Sequence, residues 1–441
     1  MQRDIYHKFI TWKNSEKRKP LLLKGARQTG KTYVLKEFGK KEYENLVYCN
    51  FEEDPELEGF FNGSLAPQKI LAALSLYKKV DIRPGRDLIF FDEIQRSNNA
   101  LNSLKYFNEE APEYHVAAAG SLLGVKLSSP KSFPVGKVSI LTLYPMTFSE
   151  FLDAIGESRY RKYLETIEAL EPLPLPIHNE LIGHLKSYYF TGGMPEAVER
   201  FSEAGSFDEI RSIQYDIMES YLLDFAKHAP TADIPKLSLI WDSIPVHLAR
   251  ENKKFIFSAL SKSARARDYE NALRWLQDTG LVHPAFAVET VQQPLAGFAD
   301  RSAFKVYMLD VGLLGAKARI SAQTLTVRDE LFTTYNGAFV ENFVAQQLTA
   351  LQTGELWYWK SASHNAEIDF LYEEPPVIFP LEVKAGVNPK SKSLASYKNR
   401  FNPRFSIRTT LLYLKMDGTI LNIPLYAINN VRHYVHLAME K

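Results

Sequence analysis

Gly25-Ala26-Arg27-Gln28-Thr29-Gly30-Lys31-Thr32 is the stretch that decides the fold. It satisfies every fixed position of GxxxxGK[ST]. The apolar run Leu21, Leu22, Leu23 precedes it, and helical spacing begins at Tyr33. Strand, glycine-containing turn and helix in that order form the context in which the motif works: the glycines let backbone N–H groups turn inward around phosphates, and the helix presents its positive end to the same anion. The expected cradle is therefore Gly25, Ala26, Arg27, Gln28, Thr29, Gly30, Lys31, Thr32 and Tyr33. Lys31 is expected to reach the β- and γ-phosphates, and the Thr32 hydroxyl to ligate Mg²⁺.

A second stretch completes the expectation. Leu88-Ile89-Phe90-Phe91 is a buried strand in pattern, and Asp92 and Glu93 stand at its C-terminal end. Asp92 is read as the carboxylate of the Mg²⁺ shell and Glu93 as the base that orients and deprotonates water. Ser121, after Gly120, is a candidate γ-phosphate sensor. A chance Gly/Lys loop would lack both the strand–helix context and the acidic strand end. Further apolar runs at 46–48, 116–119 and 138–143 alternate with helical patterns, which argues for βαβ units and a largely parallel sheet.

The chain has 441 residues, more than one core holds, so two to four domains are expected. It is 45% hydrophobic and 24% charged, as an ordinary globular chain is. Lys plus Arg number 53 against 52 Asp plus Glu, so a nucleic-acid footprint has to be local. The single cysteine, Cys49, excludes an internal disulfide and a Cys-rich zinc site. The N-terminal residues lack a signal-peptide pattern, and no run approaches the roughly 18 apolar residues of a spanning helix. The expectation is a cytoplasmic protein with no membrane partner.

Beyond the Pro-rich break at 171–176 the pattern is helical to about 250, interrupted at Gly192, Gly193 and Pro195. Residues 255–260 and 268–278 read as two helices of a helix-turn-helix, followed by strands around 282–288 and 304–309. In the second helix Ala272, Leu273 and Leu276 form the buried stripe, with Arg265, Arg267, Asn271 and Arg274 outward. Contact with DNA and a lid or protein-binding role are both open for this segment.

Near the C-terminus, Glu341 lies on an expected helix, Asp369 in an alternating strand (Glu367 to Leu371), and Glu382 and Lys384 at the end of the next strand. Carboxylates on adjacent strands suit Mg²⁺ or Mn²⁺, and Lys384 shares a pleat face with Glu382. Metal, water and a cation are the set that phosphodiester hydrolysis needs. The competing reading is a set of strand-end charges, or a site that binds without cutting. No Asp or Glu occurs from 385 to 414, while Lys390, Lys392, Lys398, Arg400, Arg404 and Arg408 do, with Tyr397, Phe401 and Phe405 interleaved. That field suits phosphate contact, or is a solvated basic face. Trp357-Tyr358-Trp359 reads as core, and His364 as a loop residue.

Several of these segments together resemble a large prokaryotic AAA-type ATPase family. They are the residues 18–32, Phe91-Asp92-Glu93-Ile94-Gln95, Ala119-Gly120-Ser121-Leu122-Leu123-Gly124, Tyr144-Pro145-Met146-Thr147-Phe148-Ser149-Glu150-Phe151 and Gly192-Gly193-Met194-Pro195-Glu196. Met308-Leu309-Asp310-Val311-Gly312-Leu313-Leu314 and 337–384 carry a second match, to a C-terminal domain similar to the PD-(D/E)xK nuclease fold. Many relatives have Arg where this chain has Lys137, and Lys is the poorer bidentate donor.

The resemblance implies an α/β architecture: an AAA-type P-loop ATPase core with helical lid over 1–235, a winged-helix segment over 236–320, and a restriction-endonuclease-like domain over 321–441. The residue readings above give expected catalytic roles for Lys31, Glu93, Asp369, Glu382 and Lys384, and metal ligation by Thr32, Asp92, Glu341, Asp369 and Glu382. Expected partners are ATP, DNA and further copies of the chain, with Arg96, Lys137 or Arg265 as the cation offered to a neighbour's nucleotide. The leading expectation is Mg²⁺-dependent ATP hydrolysis coupled to action on DNA, with a nuclease or nuclease-derived C-terminal domain. The alternative is an ATP-regulated switch whose inactive C-terminal domain engages nucleic acid or a protein.

Overall fold

A computed structural model describes residues 1–121, 136–250, 253–260, 265–321, 336–351, 354–361, 365–386 and 392–440. Leu122–Gly124, His364 and Lys390, singled out above, lie outside them. The chain forms two compact units: Met1–Tyr144 with Asp278–Gly280, and Pro145–Gln277 with Leu281–Lys441.

The first unit is built on a five-stranded sheet: β1 (Leu21–Lys24), β2 (Asn45–Asn50), β3 (Asp87–Asp92), β4 (His115–Gly120) and β5 (Ser139–Thr142). Every pairing is parallel, in the order β2-β3-β4-β1-β5. Strand alternation divides the apolar residues between two cores. Leu22, Ile89, Phe91, Val116 and Ala118 face one; Leu21, Leu23, Leu88, Phe90, Ala117 and Ala119 face the other. A parallel sheet covered on both faces needs such continuous apolar strands. The helices α1 (Ile5–Lys13), α2 (Lys31–Glu42), α3 (Pro67–Lys78) and α4 (Asn98–Glu110) belong to this unit.

The second unit carries helices α5 (Phe148–Ala154), α6 (Ser158–Glu165), α7 (Leu175–Thr191), α8 (Pro195–Ser202), α9 (Phe207–His228), α10 (Ile234–Ala249), α11 (Ala266–Asp278, ending at the boundary), α12 (Val311–Lys317), α13 (Asn336–Ala350), α14 (Lys392–Phe401) and α15 (Val431–Glu440). One sheet orders β7 (Ala299–Met308), β6 (Val282–Val288), β8 (Leu356–Lys360) and β9 (Glu367–Ile368) as β7-β6-β8-β9. A second orders β10 (Phe370–Glu374), β11 (Val377–Val383), β12 (Ser406–Thr410), β14 (Ile420–Pro424) and β13 (Lys415–Asp417) as β10-β11-β12-β14-β13.

Three sequence expectations change here. The helix expected over 255–260 is a single 3₁₀ turn, Phe257–Ala259. Phe255 is held extended: its N–H donates to Phe304 O at 2.8 Å and its ring stacks between His247 and Phe304. The strands after α11 do not end as a separate wing either, because β6 pairs in parallel with β8. The strand expected through Asp369 breaks there, with β9 in one sheet and β10 in the other.

Motifs that carried the family resemblance turn out to form one buried polar frame. Thr147 and Glu150 make a capping box at the start of α5. Buried Asp310 accepts from the N–H groups of Gly193 (2.6 Å) and Leu313 (3.0 Å) and from Gln346 Nε2 (3.0 Å). Tyr188 donates to Met146 O at 2.5 Å and accepts from Gln346 and Gln347. A Cβ on Gly193 would sit 2.0 Å from Met146 O, and one on Gly312 2.6 Å from Gly192 N. Those glycines are spaces that backbone fills.

Asp310→Ala is expected to strip three buried donors of their acceptor and destabilise the second unit by about 3–5 kcal/mol. Gly193→Ala is expected to cost about 3 kcal/mol or more through overpacking. Urea unfolding of the full chain reads both; unchanged midpoints would contradict the frame.

Candidate functional site

The motif of the first unit closes where β1 turns into α2. Gly25 has φ 151°, and a Cβ there would lie 2.2 Å from Leu143 O, so only glycine fits the tight passage beside the chain after β5. Gly30, at φ 92°, caps α2 and releases the helix N-terminus toward the loop. Thr29 is fully buried and donates to Ala26 O at 2.9 Å. The Lys31 ammonium, itself buried, bonds to Gly25 O (3.0 Å) and Ala26 O (2.7 Å) and lies folded against the loop that is to hold phosphate.

Sheet order then brings the acidic strand end to this loop. β3 and β1 flank β4, and the Thr32 hydroxyl donates to Asp92 Oδ2 at 2.7 Å. Tyr48 from β2 donates to the same oxygen at 3.0 Å. Hydroxyl and carboxylate oxygens side by side are the ligands that Mg²⁺ takes beside nucleotide phosphates, so these residues fit that ion.

Glu93 follows with φ 50°, a left-handed conformation costly for a residue with a side chain and found at sites where aim matters. Its N–H donates to Asp92 Oδ1 at 3.1 Å. Burial raises its pKa, while a hydrogen bond from Gln95 and the nearby Lys31 charge pull it back down. Gln95 Nε2 donates to Glu93 Oε2 at 2.5 Å, and its own Oε1 is buried with no hydrogen-bond partner among the described residues.

Ser121 stands half-buried directly after β4. Tyr33 is 53% exposed and lines a cavity of about 320 Å³ with Met1, Gln2, Arg3, Tyr6, Val34, Glu37 and Lys41. Two of the three candidate trans cations are engaged within the chain: Arg96 pairs with Glu52, and Lys137 with Glu109 at 2.9 Å. Arg265 is exposed.

Three residues of this site escaped sequence reasoning. Arg3 is buried and donates to Thr29 O (2.9 Å) and Tyr144 O (2.7 Å), bracing the loop from outside the motif. Tyr48 and Gln95 complete the surroundings of Asp92 and Glu93. Gln95 was quoted in the resemblance, and its spacing of two from Glu93 was the available signal; Arg3 and Tyr48 left none.

The second unit brings Glu341, Asp369, Glu382 and Lys384 together, but with other lysines among them. Lys305 Nζ, 1% exposed, lies 2.6 Å from Glu367, 3.6 Å from Glu341 and 3.9 Å from Asp369. Lys253 is ion-paired with Glu341, and Lys384 with Glu382 at 2.7 Å. Among the described residues no group of three or more His, Cys, Asp or Glu side chains is arranged to hold a metal ion. The expected divalent ion at Glu341, Asp369 and Glu382 does not fit an arrangement already supplied with ammonium groups.

The basic segment also differs from expectation. Tyr397 and Phe405 are buried, and Phe401 packs on the same core as Tyr397, so none is a stacking platform. Arg408 is buried against Asn422. Lys392, Lys398, Arg400 and Arg404 remain exposed, the first three on α14. Trp357, Tyr358 and Trp359 are core, as read.

Comparison with known proteins agrees with the N-terminal geometry. Residues 17–152 match the family described as an AAA domain. With the parallel sheet and the loop geometry, this makes the first unit an AAA-type P-loop ATPase domain. Residues 182–324 and 336–427 match two domains of unknown function, DUF8612 and DUF4143. No curated protein matches the chain. Among solved structures the chain is similar to the Walker-type ATPase of Pyrococcus abyssi: 14% identity, 72% of this chain and 95% of that one covered, TM-score 0.47. It is also similar to the ORC2 protein of Aeropyrum pernix (14%, 72% and 91%, TM-score 0.36) and to the RuvB Holliday junction branch migration motor of Thermotoga maritima (16%, 67% and 91%, TM-score 0.31). No helix among the described residues is long and apolar enough to cross a membrane.

A carboxylate can serve as a base only when ionised, and the Gln95 N–H favours that form of Glu93. In Gln95→Leu the Glu93 pKa is expected to rise further, moving the acid limb of the ATPase pH profile to higher pH. An acid limb unmoved by the substitution would contradict the contact's role.

Proposed function

We propose that this chain binds ATP with Mg²⁺, hydrolyses it, and couples turnover to action on DNA in the cytoplasm. The observation that carries the ATPase reading is the 2.7 Å contact between Thr32 and Asp92, with Glu93 fixed at the next residue.

The chemistry follows from the residues. Lys31 leaves the carbonyls of Gly25 and Ala26 and takes the β- and γ-phosphate oxygens, while the N–H groups of the loop and of the α2 N-terminus hold the rest of the anion. Thr32 and Asp92 would hold the Mg²⁺, which neutralises phosphate charge when bound. Glu93 accepts a proton from the attacking water. Gln95 holds Glu93 through Nε2 and has Oε1 left to accept from that water. Ser121 at the end of β4 is assigned the sensing of the γ-phosphate. The cavity beside Tyr33 and Arg3 is assigned to the nucleobase.

DNA as partner rests on the exposed Lys392, Lys398, Arg400 and Arg404 in a segment without acids. The lysines within the carboxylate cluster favour the nuclease-derived, binding form of the C-terminal region over a cutting one. The second reading is an ATP-regulated switch that engages a protein; the burial of Tyr397, Phe401 and Phe405 favours it, since it removes the aromatic part of a nucleic-acid face. Assembly of several copies, with Arg265 supplying the trans cation, belongs to the same proposal.

Lys31→Ala is expected to lower ATP turnover by about 10²–10³-fold, as loss of one preorganised charge-stabilising donor does. A steady-state phosphate-release assay checks it, and near-normal turnover would remove the assignment. Replacing Lys392, Lys398 and Arg400 together is expected to weaken DNA binding for every sequence and to flatten the log K against log salt slope by about one unit per residue. A wild-type chain with no salt-dependent DNA binding would leave the protein-directed switch as the reading.

A further inference from the structure

The family resemblance implies a divalent metal at Glu341, Asp369 and Glu382, and the side chains disagree with it. The disagreement starts with strand geometry. Lys305 and Tyr307 lie two residues apart on β7 and so share one face of the sheet. Both aim at Glu341: the Tyr307 hydroxyl donates to its Oε2 at 3.2 Å, and the Lys305 ammonium lies 3.6 Å from the same oxygen. β7 is held by its antiparallel pairing with β6, with Lys305 opposite Ala285, so the ammonium is delivered by a fixed backbone. It is 1% exposed, and its Nζ also lies 5.0 Å over the Tyr358 ring.

Charge closes the same way. Four carboxyl groups, Glu341, Glu367, Asp369 and Glu382, meet three ammonium groups, Lys253, Lys305 and Lys384. One Asp369 oxygen is already used, accepting from Val383 N–H at 2.7 Å. A divalent ion added to this arrangement meets like charge within a few ångströms and few free oxygens, which is a steep penalty in a buried setting.

We infer that the Lys305 ammonium is the resident cation of this carboxylate cluster, so that the C-terminal region keeps the shape of a metal site while binding no divalent metal. Lys253 and Lys384 neutralise its two sides. The cluster then acts as an ion-pair core between α13, β7 and β11, and any engagement of DNA through the α14 face is independent of metal. The inference does not use the ATPase reading, which stands whichever way the test falls.

The test is titration of the full-length chain with Mn²⁺ alone, without nucleotide, read by electron paramagnetic resonance of the free ion. The wild type, Asp92→Asn, Asp369→Asn, Lys305→Met and the double variant Lys305→Met/Asp369→Asn are compared. The expected result is that Asp369→Asn removes no bound Mn²⁺ from the wild type, whereas Lys305→Met gains one equivalent that the double variant loses. A wild-type equivalent that survives Asp92→Asn and disappears in Asp369→Asn overturns the inference. So does a Lys305→Met chain, folded by circular dichroism, that gains no equivalent. Should Lys305→Met fail to fold, the wild type against Asp369→Asn decides alone.

Discussion

The contact between the Thr32 hydroxyl and the Asp92 carboxylate is the constraint around which the first unit is organised. The two residues are sixty positions apart, one at the first turn of α2 and one at the last residue of β3. Only a sheet that places β1 and β3 on either side of β4 brings them together. The three central strands, β3, β4 and β1, are apolar on both faces and are covered on both. The turn after β1 reaches its conformation because Gly25 admits the backbone of Leu143 at a distance no side chain tolerates. The Gly25–Thr32 loop, the Thr32–Asp92 contact and the placement of Glu93 are thus consequences of one sheet order and one close approach.

The second unit is organised by buried polarity. Asp310, Tyr188, Gln346 and Gln347 each bond to backbone of another segment, which ties the start of α5, the end of α7 and the start of α12 to α13. A satisfied network of this kind fixes one arrangement, because every alternative leaves a buried donor or acceptor unpaired. Helix α13 serves this frame with one set of residues and the carboxylate cluster with Glu341. Positions that look like catalytic or recognition motifs in the sequence, the paired glycines and Asp310 above all, are accounted for by packing.

The sequence made the N-terminal site legible because its chemistry is local. Eight consecutive residues form the cradle, and Asp92 and Glu93 end a strand whose apolar run is unmistakable. Arg3 and Tyr48 were not legible, since neither belongs to a motif and each reaches the site only through tertiary contacts. In the C-terminal region Glu341, Asp369, Glu382 and Lys384 were expected to share one metal site. Lys305 was missed because it stands on a strand from a different segment, between apolar neighbours, and nothing about a lone lysine in Phe304-Lys305-Val306-Tyr307 announces a cation among carboxylates. The basic run was legible in its charge and not in its aromatics: a stretch of like charge does not show which rings turn inward, and Tyr397 and Phe405 do.

The central claim is that Glu93 is the base of an ATP-hydrolysing site whose binding groups are separate from it. The direct measurement is a single-turnover experiment with radiolabelled ATP and Mg²⁺ on Glu93→Gln beside the wild type. The account predicts that the variant binds ATP as the wild type does and holds it largely uncleaved while the wild type converts it to ADP. Cleavage of bound ATP at the wild-type rate in Glu93→Gln would contradict it.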